Sequence, residues 1–282
     1  MKLVHTIEEA REETRRAHSD GKVIGLVPTM GALHEGHMTL VRRAREECGY
    51  VAVSIFVNPT QFGPTEDLDK YPRTLTEDAR KCRLAGVDLL FAPSAEEMYP
   101  PGFDAWVEVK GSVTSVLEGE FRPTHFRGVT TVCAKLFGIS DADFAYFGRK
   151  DYQQLAVITK MVRDLNMRLT VRPVDTVREP DGLALSSRNA YLNPEERRAA
   201  LVLSKSLARA RQVYDSGERC AETIRVAVES VIEAEPLAKI DYVALVDAET
   251  LGRVETAEKP VVVLLAVRIG PTRLIDNAVL GQ

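Results

Sequence analysis

The amino-acid sequence predicts an α/β fold, in which a doubly wound and mostly parallel sheet of Rossmann-like type precedes a smaller α+β C-terminal domain. Strand-like and helix-like segments alternate through the first part of the chain, which is typical of parallel sheets covered by helices. After Pro180 the pattern changes to two long helical segments followed by short β-rich stretches. We therefore expect two domains, residues 1–176 and residues 177–282.

The elements of the first domain are predicted from capping residues and from changes in hydrophobic periodicity. Thr6-Ile7-Glu8-Glu9 has the form of a capping box, so a helix begins there, and Gly21 ends it. The segments that follow are strand Lys22–Val27, helix His37–Cys48, strand Tyr50–Val57, loop Asn58–Asp69, helix Thr74–Ala85, strand Val87–Phe91, helix Val129–Phe137, strand Ala142–Phe147, helix Tyr152–Leu165 and strand Met167–Val174.

The second domain is predicted to contain two helical segments and three strands. The helical segments are Pro194–Asp215 and Ala221–Ala234, and the strands are Ile240–Val246, Val261–Ile269 and Leu274–Val279.

The composition narrows the class of protein. The chain of 282 residues is 45% hydrophobic and 28% charged, which is typical of globular domains. No apolar run approaches the roughly 18 to 20 residues of a membrane span, and the N-terminal residues turn acidic where a signal peptide would be apolar. We expect a cytoplasmic protein with no membrane attachment.

The cysteines and the net charge exclude two further classes. Cys48, Cys82, Cys133 and Cys220 are far apart and form no C-x-x-C motif, so neither a disulfide framework nor a thiolate metal site is indicated. The formal charge of −4 argues against a nucleic-acid partner held by phosphate neutralisation. A mononucleotide such as ATP needs only a few cations gathered in one cleft.

A glycine-punctuated loop with two histidines follows the strand Lys22–Val27. Glycine lets backbone N–H groups approach phosphate oxygens, and the N-terminus of the next helix adds positive potential. His34 precedes this helix and His37 lies in its first turn, so both rings can face one anion. The candidate triphosphate site comprises Met30, Gly31, Ala32, Leu33, His34, Glu35, Gly36 and His37.

Two other interpretations of the histidines stay open at this point. Zinc-binding H-E-x-x-H motifs place their histidines four apart on an established helix, whereas His34 and His37 are three apart with a glycine between them. Zinc also needs a third protein ligand, and the remaining histidines are His5, His18 and His125. The pair can also be ordinary solvated loop residues.

Ligands of a doubly wound sheet bind beyond the carboxyl ends of its strands, where the strand order reverses. Three polar loops follow strand ends, at Met30–His37, Asn58–Phe62 and Phe147–Asp151, so we expect them to converge. The segment Asp181–Arg188 lies just after the domain boundary, and its Asp-Gly turn would let it fold back over the first domain. Such a site can close and exclude water.

Cationic and hydroxyl side chains in these segments suit a triphosphate. Lys150 can place a point charge on an α-phosphate, or it can be a solvated lysine at a helix end. Ser186, Ser187 and Arg188 combine hydroxyls with a guanidinium fork, which suits β- and γ-phosphate oxygens. A helix N-cap is their alternative role, although Asn193 already begins the following helix well.

Amide and acidic side chains offer substrate and metal ligands. Gln61 and Gln154 have both donors and acceptors and can orient a hydroxy acid, or they can be surface residues. Glu77 and Asp78 can bind Mg²⁺, or they can be the acids that the first turn of a helix favours.

Five motifs occur in order along the chain: PTMGALHEGH at Pro28–His37, FVNPTQF at Phe56–Phe62, YPRT at Tyr71–Thr74, FGRKDYQQ at Phe147–Gln154 and DGLALSSRN at Asp181–Asn189. Together they resemble the pantoate–β-alanine ligases, or pantothenate synthetases, from Val27 to about Leu192. The H-x-G-H and Ser-Ser-Arg motifs are also similar to the wider nucleotidyltransferase superfamily, which includes class I aminoacyl-tRNA synthetases.

The resemblance implies a reaction in two steps. The carboxylate of pantoate attacks the α-phosphate of Mg-ATP and releases pyrophosphate, and the amine of β-alanine then attacks the pantoyl adenylate and releases AMP. No covalent enzyme intermediate is implied, which agrees with the absence of a convincing Ser-His-Asp or Cys-His arrangement in the sequence. Catalysis would depend on positioning, charge stabilisation and exclusion of water.

The resemblance also implies roles for individual residues. It places His34 and His37 on the phosphates, with His37 as proton donor, Lys150 on the α-phosphate, and Ser186, Ser187 and Arg188 as a triphosphate clamp. It assigns Gln61 and Gln154 to pantoate, with Gln61 also near β-alanine, and Glu77 and Asp78 to the metal. The implied ATP-binding set is Met30, Gly31, Ala32, Leu33, His34, Glu35, Gly36, His37, Gly148, Arg149, Lys150, Asp151, Val177, Leu185, Ser186, Ser187 and Arg188.

One position departs from the family pattern, and one property is implied by the family alone. Arg149 stands where an acidic or amide residue is common, so it either adds a phosphate contact or points to solvent. The family is typically dimeric, which implies a homodimer here.

Three other functions are compatible with parts of the sequence. A nucleotidylyltransferase that moves AMP or CMP onto a phosphate ester would make a stable dinucleotide-like product instead of free AMP. A non-catalytic nucleotide sensor would bind ATP without turnover. A nucleic-acid module is disfavoured by the acidic balance and the lack of a basic stripe.

Overall fold

The structure is a computed structural model that describes residues 1–63 and 68–281. Residues 64–67 of the predicted loop Asn58–Asp69 therefore lie outside the described residues. The chain divides into two compact units. The first comprises Met1–Arg149 and Gln154–Asp175, and the second comprises Lys150–Gln153 and Thr176–Gln282.

The first unit contains a parallel sheet of six strands in the order β1-β4-β3-β2-β5-β6. This topology confirms the predicted Rossmann-like α/β class. The strands are β1 (Lys2–Val4), β2 (Ile24–Thr29), β3 (Tyr50–Ile55), β4 (Leu89–Phe91), β5 (Phe144–Gly148) and β6 (Thr170–Val174).

Helices cover both faces of this sheet. They are α1 (Ile7–Ser19), α2 (Glu35–Glu47), α3 (Leu75–Leu84), α4 (Ala95–Met98), α5 (Ser112–Ser115), α6 (Glu118–Phe121), α7 (His125–Ser140) and α8 (Tyr152–Asp164). Along β3, Tyr50 and Ala52 join the core cluster on one face, while Val51 and Val53 join the cluster on the other. Because successive strand residues point to opposite faces, a strand buried on both faces reads as a continuous apolar run.

The strand order reverses between β2 and β5. The chain passes from β2 to β3 and β4 on one side, and later from β5 to β6 on the other. β2 and β5 pair directly, with Leu26 opposite Ala145. The loops that follow Thr29 and Gly148 therefore begin at the same edge of the sheet, at the switch point where such folds bind ligands.

The second unit has a three-stranded antiparallel sheet in the order β7-β8-β9, with helices packed against it. Its helices are α9 (Pro194–Ala199), α10 (Leu201–Asp215) and α11 (Ala221–Glu233), and its strands are β7 (Ala238–Asp247), β8 (Val261–Ile269) and β9 (Thr272–Leu280). The predicted α+β class of this part is confirmed. Its core is formed by apolar faces of α10 and α11 against β8, which is almost completely buried.

Some elements differ from the predictions. The segment Pro194–Asp215 is two helices, Pro194–Ala199 and Leu201–Asp215, which meet at Ala200. The edge strand β1 was not predicted, since three residues are too few to show a period. The short helices α4, α5 and α6 were missed for the same reason. No helix in residues 1–63 and 68–281 combines the length and apolar character that crossing a membrane requires.

Candidate active site

The two histidines of the loop after β2 are linked to each other and to the first turn of α2 by hydrogen bonds. His34 is the N-cap residue, and its Nδ1 accepts a hydrogen bond from the backbone N–H of Gly36 at 3.1 Å. The backbone N–H of His34 donates in turn to Nδ1 of His37 at 3.3 Å. The ring centroids lie 4.1 Å apart. The predicted placement, with one ring before the helix and one in its first turn, is what the structure has.

These contacts decide which ring nitrogen carries the proton. A backbone N–H can only donate, so an Nδ1 that accepts from it is unprotonated. In the neutral form, both His34 and His37 therefore carry their N–H donor at Nε2. An imidazole N–H donor is suited to bind a phosphate oxygen.

The two loop residues Gly31 and Ala32 have positive φ, a backbone conformation that residues other than glycine rarely adopt. Gly31 has φ +84° and Ala32 has φ +50°. The loop is held from α3 by Asp78, which is fully buried and accepts from the backbone N–H of Ala32 at 2.9 Å and of Leu33 at 2.8 Å. Leu33 is also buried, and its side chain belongs to the core.

The loop after β3 presents a glutamine whose side chain is oriented at both ends. The amide nitrogen of Asn58 donates to Oε1 of Gln61 at 3.0 Å, and Nε2 of Gln61 lies 3.1 Å from the sulfur of Met30. The carbonyl of Gln61 accepts from Nδ1 of His125 at 2.9 Å and from the Arg122 guanidinium at 3.2 Å. The structure thus brings Gln61 next to the histidine loop.

Asn58 holds the Gln61 side chain in place through hydrogen bonds to several parts of the first unit. It is buried, and its carbonyl oxygen accepts from the hydroxyl of Tyr99 at 2.9 Å and of Thr60 at 2.9 Å. Its amide nitrogen also donates to the carbonyl of Gly128 at 3.2 Å. A Cβ at Gly128 would lie 2.4 Å from the carbonyl oxygen of Thr60, so only glycine allows α7 to approach the loop.

Lys150 lies two residues after the end of β5 and belongs to the second unit. Its ammonium lies 3.6 Å from the carboxylate of Asp151, and its backbone carbonyl accepts from the amide nitrogen of Asn277 on β9 at 2.8 Å. Tyr152, two residues later, donates its hydroxyl to the carbonyl of Ala248 at 2.8 Å. Two side-chain contacts therefore fix the backbone around the lysine.

The segment with Ser186, Ser187 and Arg188 also lies in the second unit, after a hairpin closed between Val177 and Leu185. Arg178 of this hairpin forms a bidentate ion pair with Asp276, which is 2% exposed, at 2.7 and 2.9 Å. This hydrogen bonding to the Asp276 carboxylate raises the pKa of Arg178. Because Asp276 and Asn277 are adjacent in the middle of β9, one segment of this strand contacts both the hairpin and the backbone of Lys150.

The remaining candidates are placed as follows. Ser186 does cap a short 3-10 helix, Ser187–Tyr191, by accepting from the backbone N–H of Arg188 at 3.3 Å, while Asn193 caps α9. Gln154 lies in the first turn of α8, and Gly148 ends β5. Arg149 forms an ion pair with Asp175 at 3.2 Å. Glu35 is exposed and pairs with Arg42.

Comparison with known proteins decides the family. The family model for pantoate-beta-alanine ligase matches residues 2–279. The chain belongs to the pantoate–β-alanine ligase family. The predicted resemblance is confirmed over nearly the whole chain, including the C-terminal part in which no motif was recognised.

Relatives of this family of ligases are similar over their full length. The pantothenate synthetase of Pelotomaculum thermopropionicum is 56% identical over 282 residues, which is 100% of both chains. The crystal structure of pantothenate synthetase from Thermus thermophilus has a TM-score of 0.94 at 48% identity and covers 99% of each chain. The pantoate-beta-alanine ligase of Francisella tularensis, complexed with beta-gamma ATP and beta-alanine, has a TM-score of 0.81 at 34% identity, with 99% and 97% coverage.

Magnesium was expected from the resemblance of this chain to the ligases, with Glu77 and Asp78 as its ligands. Both carboxylate oxygens of Asp78 already accept hydrogen bonds from the loop backbone, and one also accepts from the Thr74 hydroxyl at 3.0 Å. Glu77 forms two hydrogen bonds with Arg80 on the surface, which lower the pKa of its carboxyl. This pair does not fit a magnesium site, and in the described ranges no group of three or more His, Cys, Asp or Glu is arranged to hold a metal.

Sequence reasoning about this ligase missed three features that organise the site: Asn58, Asn277 and the loop-holding role of Asp78. A signal existed only for Asp78. Leu75, Asp78 and Cys82 have the spacing i, i+3, i+7 of a buried helix face, which places the carboxylate toward the protein interior.

Proposed function

We propose that the histidine loop and Lys150 catalyse the adenylation of pantoate by ATP, the first step of an ATP-dependent ligation to β-alanine. An oxygen of the pantoate carboxylate attacks the α-phosphorus, the bond from that phosphorus to the bridging oxygen breaks, and pyrophosphate leaves. The β-alanine amine then attacks the acyl carbon and loses a proton to solvent, and AMP leaves with the electron pair of the acyl–oxygen bond. The observation that carries the proposal is the pair of imidazoles at a helix N-terminus whose Nδ1 atoms accept from backbone N–H groups, which leaves Nε2 as the donor of each neutral ring.

The charges at the site suit the first step. Negative charge develops on the bridging oxygen and on pyrophosphate as the bond breaks. The Nε2–H groups of His34 and His37 are assigned to these oxygens, and the Lys150 ammonium is assigned to the α-phosphate, where it stabilises the transition state more than bound ATP. No side chain forms a covalent bond with substrate in this scheme, so positioning and electrostatics account for catalysis.

Gln61 and Gln154 are assigned to pantoate. Asn58 orients the Gln61 carboxamide, so the glutamine can bind the substrate without reorganising. A neutral amide binds the hydroxyl and carboxylate groups of pantoate while leaving the carboxylate nucleophilic. The same side chain is assigned to β-alanine in the second step.

Ser186, Ser187 and Arg188 are assigned to the β- and γ-phosphates, and backbone groups of Gly148, Val177 and Leu185 to the nucleotide. We propose that the domain of residues 177–282 closes over the substrates, so that these groups act on the same ATP. ATP enters as its magnesium complex, so the cation is part of the substrate, and no step is assigned through Glu77 or Asp78.

The exchange of radiolabelled pyrophosphate into ATP tests the first step. Exchange that requires pantoate and proceeds without β-alanine is expected. Lys150→Ala should slow it by about a hundredfold or more, because one preorganised charge is removed from the transition state. Lys160→Ala is the matched control, since this lysine pairs with Asp164 on the outside of α8. Exchange that does not depend on pantoate would refute the proposal.

Analysis of the reaction products distinguishes the ligase from two alternatives, a nucleotidylyltransferase and a nucleotide sensor. A ligase releases free AMP together with pantothenate, whereas a nucleotidylyltransferase releases a nucleotide joined to a phosphate ester. A nucleotide sensor would bind ATP in calorimetry and release neither product.

We also propose that the protein is cytoplasmic and forms a homodimer. Resemblance to the family supports the dimer, and light scattering on the purified protein tests it. A mass of one chain at micromolar concentration would contradict the dimer.

A further inference from the structure

The loop between β2 and α2 is held in a conformation that is unfavourable for its sequence. Gly31 and Ala32 are consecutive residues with positive φ, +84° and +50°. Glycine adopts this region freely, whereas alanine has a steric penalty there because of its Cβ. Another part of the structure must therefore stabilise the conformation at Ala32.

Asp78 supplies that stabilisation. Its carboxylate is completely buried and accepts from two successive backbone N–H groups, those of Ala32 at 2.9 Å and Leu33 at 2.8 Å. A Cβ on Gly31 would lie 3.2 Å from Oδ2 of Asp78 and 3.0 Å from the side chain of Ile55. The carboxylate and the loop are thus in close contact, and hydrogen bonds to a charged group are stronger than neutral ones.

A second side chain of α3 holds the next peptide group. The ammonium of Lys81 donates to the carbonyl of Leu33 at 2.6 Å. The N–H of the same peptide group is that of His34, which donates to Nδ1 of His37. The peptide that joins Leu33 to His34 is therefore fixed on both sides, and its orientation sets the positions of both imidazole rings.

We propose that Asp78, together with Lys81, is a positioning residue that holds the loop in its left-handed conformation so that His34 and His37 meet the phosphates of ATP. The inference rests on the proposed function, and it replaces the expected metal-ligand role of Asp78. ATP gains its contacts to the histidines only when the loop is held. Loss of the anchor lowers the fraction of molecules ready to bind ATP, and the apparent affinity falls by that fraction.

The main test is Asp78→Asn, alone and combined with Ala32→Gly. Asp78→Asn should raise KM for ATP in pantoate-dependent exchange by about tenfold, because a charged acceptor of two N–H groups is lost. KM for pantoate should change less than about twofold, since the hydrogen bond from Asn58 to Gln61 does not involve Asp78. Ala32→Gly should recover about fivefold of the lost ATP affinity, because glycine removes the steric penalty of positive φ.

The rescue separates positioning from a role in folding. A purely structural aspartate would lower the melting temperature and leave KM for ATP unchanged, and Ala32→Gly would then restore nothing. A metal ligand would raise the magnesium concentration needed for half-maximal rate in Asp78→Asn, whereas we expect that concentration to stay within about twofold. Either result would overturn the proposal.

Lys81→Met is the second variant, in case the buried substitution fails to fold. Its side chain is one-third exposed, and its loss should raise KM for ATP severalfold in the same assay. Arg80→Met is the matched control on α3, because its contacts are to Glu77 on the surface. If exchange by the wild-type protein does not depend on pantoate, the proposed function fails. If wild-type exchange does depend on pantoate, but Asp78→Asn and Lys81→Met both keep the wild-type KM for ATP, only the positioning role is refuted.

Discussion

The side-chain amide of Asn277 donates a 2.8 Å hydrogen bond to the backbone carbonyl of Lys150, although 127 positions separate the two residues. Asn277 is 6% exposed, and Asp276 before it is held by the bidentate pair with Arg178. The middle of β9 is therefore buried and held by side-chain hydrogen bonds on two adjacent residues. A hydrogen bond from β9 therefore holds the backbone of Lys150, the lysine that is assigned to the α-phosphate.

Asn277→Leu removes this hydrogen bond with little change in side-chain volume. We expect the turnover number for pantoate-dependent exchange to fall about tenfold, because a displaced ammonium stabilises the transition state less well. In a Lys150→Ala background, the same change should have almost no further effect, since the group that it positions is already gone. Effects that multiply in the double variant would show that Asn277 acts elsewhere.

Substitutions of His34 can separate its two roles. Asn is a good N-cap residue, so His34→Asn should keep the stability of α2 while it removes the Nε2 donor. We expect its exchange rate to fall about a hundredfold and its free energy of unfolding to stay near that of the wild type. His34→Ala should lose the same activity and about 1 kcal/mol of stability in urea denaturation.

The pairing of the rings also predicts that their contributions are not additive. Replacing both His34 and His37 by Ala should cost little more exchange activity than replacing one, because each Nδ1 helps to hold the other segment. His18→Ala is the control. This histidine is in the last turn of α1, and its ring contacts the backbone carbonyl of Asp141 after α7, not the histidine loop. Two losses that simply multiply would mean that the rings act independently.

The four cysteines should differ in their reaction with iodoacetamide. Burial raises the pKa of Cys82 to about 11 and of Cys133 to about 12, and it also raises the pKa of Cys48. Cys220 is exposed at the start of α11, where the backbone N–H of Thr223 stabilises the thiolate and lowers its pKa.

At pH 7.5 we expect one thiol per native chain to be alkylated, and none in Cys220→Ser. The rate should rise with pH, with a midpoint below that of an ordinary exposed thiol, because the pKa of Cys220 is lowered and only the thiolate reacts. Mass spectrometry of the digested protein identifies the modified residue, and unfolding in guanidinium should expose the other three. Native labelling of Cys133 at a similar rate would contradict the buried environment of that thiol.

The elements with a strong period were predictable because their residues alternate or repeat within a few positions. β8 was predicted with its observed bounds, Val261–Ile269, and α8 began at Tyr152 as expected. The start of α2 was predicted two residues late, at His37 instead of Glu35, from its glycine and histidines, which act on neighbouring backbone groups. The adjacency of β2 and β5, whose following loops begin at the same edge of the sheet, agrees with the general rule for doubly wound sheets.

The sequence by itself determined the class of fold, the family and the chemistry of the candidate residues, because all three depend on residue types at short spacing. Only the tertiary structure decided how those residues are held. Asp78 meets Ala32 across 46 positions and Asn277 meets Lys150 across 127. A hydrogen bond depends on distance in space and leaves no local period, so an acid that reads as a metal ligand or a helix-dipole residue is, once folded, an anchor for the histidine loop.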